Sequence, residues 1–553
     1  MSNVMSLPNL KNHVSRNGFD LSEKVAFTAK VGQLLPIMHK EVIPGDKFKI
    51  NVKAFARTQP VNTAAFTRIR QYYDFFFVPW SQIWRNFGNF VTQINDAKNR
   101  ASSLTADIDI PQYCPFFSSS DLARYIYNVS HVTKKNENEV AWSDTYAINK
   151  DVCGFNRGSL SVKLLRYLGY GDFTPWLNYS TAASGNNSVP FVAAKKNLSL
   201  SAGPLAAYQK ICEDFYRNSQ WQNTSPWSYN FDYWNGSALD LGDLYNSTSF
   251  VASNQFDLFT MRYVNWQKDY FFGLIPSRAD TGVHSYSSDA SNLVSVMGIR
   301  QAEALQKWRE ISETNNKDYK SQVEAHFGVK MSSAMSEMVT YLGGTSDALD
   351  ISEVVNQNLF ENGSAKIQGK GVGVTDGYID FEAKEHGFIM CIYHAIPLLD
   401  YANSGLLPSV QKVTASSFAI PELDSIGLQE VPTEQLICDY TKDAFSGGLG
   451  SLGYAPRYFD YKTAYDRVLG SFLTTEASWT APISDKYINN YLLSGAGDVS
   501  KRMDYRMMKV NPSILNPIFA VWANGQESTD QLLINTAFDI KAVRNLDYNG
   551  LPY

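Results

Sequence analysis

Pro44-Gly-Asp-Lys-Phe-Lys-Ile-Asn-Val-Lys-Ala54 and Tyr72-Tyr-Asp-Phe-Phe-Phe-Val-Pro-Trp80, both inside the block 32–80, decide the fold class of this chain. In the first, Phe48, Ile50, Val52 and Ala54 alternate with Lys49, Asn51 and Lys53. That is the period of two of a strand with one buried face. The second is nearly continuous in aromatic residues from Tyr72 to Val78, as in a strand packed on both faces. Pro44-Gly45 suits a type II turn, with Pro setting φ and Gly supplying the positive φ. Pro79 ends the second run.

Outward from this block, further strands are expected at 378–383, where Tyr378, Asp380 and Glu382 alternate with Ile379, Phe381 and Ala383. Others are expected from Gly387 to Ile396, Ile518 to Trp522 and Leu532 to Val543. Between the terminal strands lie helical signals. Ser81 is placed to cap a short helix over 81–95. Leu160, Leu164, Leu165 and Leu168 share one face, with Gly169 as the stop. Pro204 opens a helix that puts Leu205, Tyr208, Ile211, Cys212 and Phe215 together. Ile299, Ala302, Leu305, Trp308 and Ile311 or Ser312 line another, followed by a helix from Asp318 that ends at Gly328. Strands at both ends with helices and loops between them predict one mainly β core, a β-sandwich with long insertions. The division is an N-terminal arm over 1–24 and a single domain over 25–553, interrupted at about 86–200, 218–255 and 277–370.

The 553 residues carry 14% aromatic residues and only 19% charged ones. Aromatics suit interfaces as well as cores, so this is a chain expected to live against neighbours. Net charge is −5, yet residues 1–70 hold +7 and the remainder −12. A basic start can meet nucleic acid, although a solvated strand face is the better account of any single lysine. Cys114, Cys153, Cys212, Cys391 and Cys438 form no C-x-x-C pattern and read as buried thiols in a reducing compartment. Met1–Gly18 is polar, so no secretory signal is expected, and no apolar run is long enough to span a bilayer.

Catalytic patterns fail on spacing. Gly363 to Gly371 reads G-x5-G-K-G, one residue too long for a P-loop, and Gly371-Val-Gly373 precedes a strand where a dinucleotide site needs a helix. A flexible turn is the better reading there, and Phe445 to Gly453 reads as a glycine loop. His386 and His394 would lie roughly 26 Å apart on a strand, too far to share an ion, so both are sheet-face or core histidines. No H-E-x-x-H or G-x-S-x-G is present. No enzyme, cofactor or metal site is expected. Basic and aromatic residues interleave at Arg68, Arg70, Tyr72 and Tyr73, at Arg457 and Tyr458, and at Lys501, Arg502, Tyr505 and Arg506, a pattern that suits single-stranded nucleic acid.

Leu34-Leu-Pro-Ile-Met-His-Lys-Glu-Val-Ile-Pro-Gly-Asp-Lys-Phe48 and Tyr73-Asp-Phe-Phe-Phe-Val-Pro79 together resemble the major capsid proteins of the Microviridae, in the gokushovirus-like and Bacteroidetes-prophage branches. The likeness continues in Tyr263-Val-Asn-Trp-Gln-Lys-Asp-Tyr-Phe-Phe272, Leu305-Gln-Lys-Trp-Arg-Glu310, His326-Phe-Gly-Val329 and Tyr341-Leu-Gly-Gly344. It resumes in Gly387-Phe-Ile-Met390, Pro456-Arg-Tyr458, Phe538-Asp-Ile-Lys-Ala-Val-Arg544 and Gly550-Leu-Pro-Tyr553. Residues 86–197, 222–255 and 277–295 do not follow the pattern.

The resemblance implies an eight-stranded antiparallel viral jelly roll and a T=1 icosahedral shell of sixty copies built from pentamers. The shell would enclose a circular single-stranded DNA, without catalysis or cofactors. It implies assembly in a bacterial host cytoplasm, residence in the virion, and scaffolding protein, DNA pilot protein and host surface receptor as partners, with no membrane insertion. The usual variable insertion after Asp269-Tyr-Phe-Phe is short, which makes 96–197 the candidate outer decoration. Lys11, His13, Arg16, Arg68, Arg70, Arg502 and Arg506 are the candidate DNA-facing residues. The competing class is a carbohydrate-binding or glycan-degrading β-sandwich, whose aromatic loops would stack on sugars.

Overall fold

A computed structural model of the chain describes residues 15–61, 66–92, 112–131, 150–178, 197–234, 236–239, 241, 256–277, 296–354, 368–424, 427–438, 451–491, 493–494, 501–503, 505–519, 522–523, 526–527 and 529–548. Its principal strands are β1 (Asn17–Asp20), β2 (Glu23–Ala29), β3 (Leu35–Val42), β4 (Lys47–Thr58), β5 (Ile69–Pro79), β6 (Thr340–Val354), β7 (Gln368–Glu382), β8 (Gly387–Pro397) and β9 (Leu532–Arg544). The hydrogen-bonded order is β1-β9-β4-β7-β6-β5-β8-β3, with β2 also on β9, and every pairing in it is antiparallel.

This path makes two layers. β6 pairs with β5 through Thr340–Leu349 but with β7 only through Asp350–Val354, so that short ladder hands the chain from one layer to the other. β2-β9-β4-β7 and β3-β8-β5-β6 then face each other across a shared aromatic core. Phe75 of β5 meets Phe538 of β9 at 6.3 Å, Phe77 meets Phe381 of β7 at 4.9 Å, and Phe27 of β2 meets Tyr393 of β8 at 5.1 Å. Alternate residues of β4 and β9 point into this core, as a β-sandwich requires.

The two outer faces differ. β4 and β9 alternate buried and exposed residues along nearly their whole length, so their outer side meets solvent. β8 is buried at all eleven positions, and β5 is buried on both faces from Phe75 to Pro79. The cover is the segment between β5 and β6, which carries α1 (Trp80–Ile83), α2 (Phe87–Thr92), α3 (Ser119–His131), α4 (Arg157–Tyr167), α5 (Gly203–Ile211), α6 (Val296–Thr314) and α7 (Tyr319–Phe327). Close approach of α5 depends on Gly203: a Cβ there would stand 2.3 Å from the Trp80 ring.

The turn between β3 and β4 is the expected type II. Gly45 has φ +90, and the Asp46 amide donates to the Ile43 carbonyl at 3.1 Å. The cap at Asp318, the end at Gly328 and the stop at Gly169 also fall where expected, and Asn156 caps α4, a cap outside those expectations. Several expectations are corrected. Residues 17–20 and 23–29 are strands paired to β9, so the arm does not extend to residue 24; β1 continues the edge after a break at Leu21-Ser22, making nine strands instead of eight. Ser81 caps nothing: the chain leaves β5 directly into α1 with Pro79 at the cap position, and the Ser81 hydroxyl donates to Glu385 at 2.8 Å.

A π-helical turn at Cys212–Tyr216 adds a residue to the helix from α5. It brings Tyr216 inward and leaves Phe215 40% exposed. Gly369, Gly371 and Gly373 belong to β7, paired with Glu353, Ile351 and Ala56, and are not a turn. Ser451–Pro456 is a strand, so only the part of the glycine loop before it lies outside the described residues. Ile518 sits in a turn at Asn516–Ile518, Phe519 makes an isolated bridge to Val61, and among the described residues of that stretch the strand is Trp522–Ala523. Cys212 and Cys391 are buried, but Cys114, Cys153 and Cys438 are half-buried; all five are free thiols. Most unlike the expectation, the apolar side of α6 faces solvent at Ala302, Leu305 and Trp308, with Leu305 44% and Trp308 55% exposed.

Candidate nucleic-acid and assembly surfaces

The free outer face of β4, β7 and β9 follows from the pleat: residues out of phase with Phe48, Ile50 and Val52 must point away from the core. It presents Lys47, Lys49, Lys53 and Arg57 from β4, which read in isolation look like a basic stripe. Register changes that. Lys47 stands opposite Glu382, Lys49 opposite Asp380, and Lys53 opposite Asp376. Lys47 and Glu382 form an ion pair at 3.1 Å. On the other side, Lys541 of β9 bonds Asp20 at 2.6 Å, and that bond, with those from Ser22, holds the Asp20 carboxyl well below its usual range. The face is a cross-strand ladder of opposite charges, each exposed pair worth little alone. Lys47 and Lys541 are ion-paired, Lys49 and Lys53 face carboxylates across the β4–β7 ladder, and Lys49 also faces Lys541, so acidic residues interrupt the stripe.

The candidate DNA-facing cations do not converge. Lys11 and His13 lie outside the described residues. Arg16 is exposed and donates to the Gly45 carbonyl at 2.6 Å, tying the first strand to the β3–β4 turn. Arg68 and Arg70 are exposed at the start of β5, with Ile69 and Gln71 buried beside them. Arg502 sits in the short strand Lys501–Arg502, paired with Leu493–Ser494. Arg506 departs from the expectation: it is 6% exposed, and burial lowers its pKa to about 10. Only Arg16, Arg68 and Arg70 of the described set are shown on the surface.

Two interior polar clusters had no visible sequence signal, because their members come from distant segments. One lines a cavity of about 460 Å³ with Arg157, Gln209, Glu213, Arg217, Arg262 and Lys509. Arg217 pairs with Glu213 at 2.8 Å, and Arg262 donates to Gln209 at 2.7 Å. Lys509 donates to the Tyr216 carbonyl at 2.9 Å; burial, reinforced by Arg262, lowers its pKa to about 7. The other cluster lies where the covering segment meets β5 and β8. Asp74 accepts from Tyr216 at 2.9 Å and Tyr341 at 3.1 Å, and burial raises its pKa. His394 stacks on Tyr72 with ring centroids 4.8 Å apart, and its Nδ1 is 3.7 Å from Asp74, too long for a hydrogen bond. Among the described residues no group of three or more His, Cys, Asp or Glu is placed to hold a metal ion.

Burial lowers the His394 pKa from 6.5 to about 3, so it is a core histidine held neutral. Between those values the unfolded chain carries a proton that the folded chain lacks, so stability present above pH 6.5 drains as pH falls toward 3. Relative to His394→Phe, the native chain is expected to lose about 3 kcal/mol between pH 7 and pH 4. Chemical unfolding of both proteins at the two pH values checks this. Asp74 titrates with the opposite sign near its raised pKa, but it is common to both and cancels to first order in the difference. Equal losses would remove His394 from the account.

Residues 9–146 and 275–552 match the family described as Capsid protein (F protein). The chain belongs to this capsid protein family. Capsid protein VP1 of Chlamydia phage 1 is 23% identical over 519 residues, covering 83% of this chain and 84% of the relative. Capsid protein VP1 of Bdellovibrio phage phiMH2K is 32% identical over 93 residues, 17% of each chain. The expected Microviridae-type major capsid protein is thus the class of this chain, and its place is the virion, in multiple copies. Among the described residues no helix is long and apolar enough to cross a membrane.

Proposed function

We propose that sixty copies of this capsid-family chain close into a T=1 icosahedral shell, by way of pentamers, around a circular single-stranded DNA. The observation that carries the reading is strand order. Setting β1 aside, the chain visits its layers as β2-β9-β4-β7 and β3-β8-β5-β6. This order supports the reading as an eight-stranded jelly roll, an architecture recurrent among viral capsid domains. The long excursions, 80–339 between β5 and β6 and 398–531 between β8 and β9, are available to build contacts between copies. The role is structural, without catalysis. Scaffolding protein, DNA pilot protein and a host surface receptor are its further partners, and assembly takes place in the bacterial cytoplasm.

For the genome, the charge ladder on the outer sheet argues against a sheet-wide DNA surface. Arg16, Arg68, Arg70 and Arg502, with Lys11 and His13, remain the cations proposed to face it; neutralising phosphates needs unpaired Lys and Arg. The purified chain is expected to sediment as pentamers or shells, and shells from infected cells to protect single-stranded DNA from nuclease. A stable monomer that binds glycans would favour the sugar-binding class instead.

A further inference from the structure

The helical hairpin α6–α7 holds an apolar surface that the described residues leave uncovered. Leu305 and Trp308, one turn apart on α6, are 44% and 55% exposed. On α7 and just beyond it, Tyr319 is 67% exposed, Phe327 76% and Val329 58%. Hydrogen bonds tie the hairpin's two helices to each other and, at Lys317, to the rest of the chain. Gln322 donates to the carbonyls of Ser312 at 3.0 Å and Asn316 at 2.8 Å, Ser312 bonds His326 at 2.9 Å, and Lys317 donates to Ser219 at 3.2 Å. Trp308 stacks on His326 with centroids 5.7 Å apart. Large aromatics fixed on a rigid support and open to solvent are the composition of an interface centre.

We propose that this hairpin docks onto a second copy of the same chain. Charge points to a protein: Arg300, Lys307 and Arg309 are balanced by Glu303, Glu310 and Glu313 on α6, and Lys320 by Glu324 on α7. A nucleic-acid surface needs a cationic excess, which this hairpin lacks. The family match points to a copy. The hairpin lies inside the matched stretch 275–552, whereas 147–274 lies outside both matched stretches. The exposed Leu305, Trp308, Phe327 and Val329 all lie within that matched stretch. In a capsid chain present in many copies, large apolar side chains held open to solvent are suited to fill a seam between copies. A closed ring or shell needs such heterologous patches. The inference rests on the many-copy reading above and adds which surface makes the contact.

The test compares the native chain with Leu305→Asp/Trp308→Asp, and measures hydrogen exchange of the native chain before and after assembly. Circular dichroism of the unassembled variant is expected to match the native chain, because both side chains already meet solvent. Particle yield by sedimentation is expected to fall at least tenfold, and peptides spanning 296–327 to slow in exchange on assembly of the native chain. Undiminished particles from the variant, or unchanged exchange in the hairpin, would overturn the proposal. So would protection that appears only when another virion protein is added. A native chain that never assembles would instead overturn the function it rests on.

Discussion

Phe75→Ala is expected to destabilise the subunit by about 3–5 kcal/mol, enough to abolish soluble expression of a marginally stable chain. Phe75 is 1% exposed on β5 and reaches across to Phe538 on β9. Its main-chain neighbours are Cys391 of β8 and Gly343 of β6. Removing the ring therefore opens a cavity where the two layers meet, bounded by main-chain ladders that cannot collapse into it. The control is Phe55→Ala on the solvent side of β4, where the ring is 37% exposed and the cost should stay within about 1 kcal/mol. Midpoints of chemical unfolding read both. Equal effects would mean that the layers do not pack through Phe75.

The second large effect is expected at Lys210→Met. Lys210 and Asp214 pair at 2.9 Å with each side chain 9% exposed, where α5 runs into its π-helical turn. Asp214 also accepts from the Val339 amide at 2.9 Å, just before β6, so the pair ties the covering segment to the sheet. Losing the cation strands a buried carboxylate, at a cost of about 3–5 kcal/mol near neutral pH. Burial already raises the Asp214 pKa above 3.8, and without Lys210 it rises further. The folded chain then takes up a proton before the unfolded chain does, so the deficit should shrink as pH falls. Lys210→Met/Asp214→Leu should recover most of the loss, because apolar replacement of both partners leaves no buried charge. A double variant no better than the single one would place the damage in packing.

Local chemistry was legible wherever it alone decides the outcome. The alternation at 48–54, the aromatic run at 72–78 and the turn at Pro44-Gly45 read directly, as did the caps at Asp318 and Gly328. Pairing was not. β9 inserts between β2 and β4 from some 500 residues away in sequence, and no local pattern encodes that. Gly369-Lys-Gly-Val-Gly373 looks like a turn because glycine carries no side chain to reveal a ladder, yet Gly369–Val372 pair with β6 and Val372–Gly373 with β4. Periodicity at Leu305 and Trp308 marked an apolar side correctly but could not say whether this chain covers it. For the candidate site the limits were sharper. Charge marked Arg68 and Arg70 as exposed, and they are; it marked Arg506 the same way, and Arg506 is buried. Lysines on β4 looked like a basic stripe until register set Glu382, Asp380 and Asp376 opposite them.

Cryo-electron microscopy of particles formed by this chain, with their mass by native mass spectrometry, tests the central claim most directly. The account predicts a closed T=1 particle whose protein mass is sixty times 62.0 kDa, with β2-β9-β4-β7 and β3-β8-β5-β6 as the two layers of every subunit. A different copy number, or a purified chain that stays monomeric under every assembly condition, would contradict it.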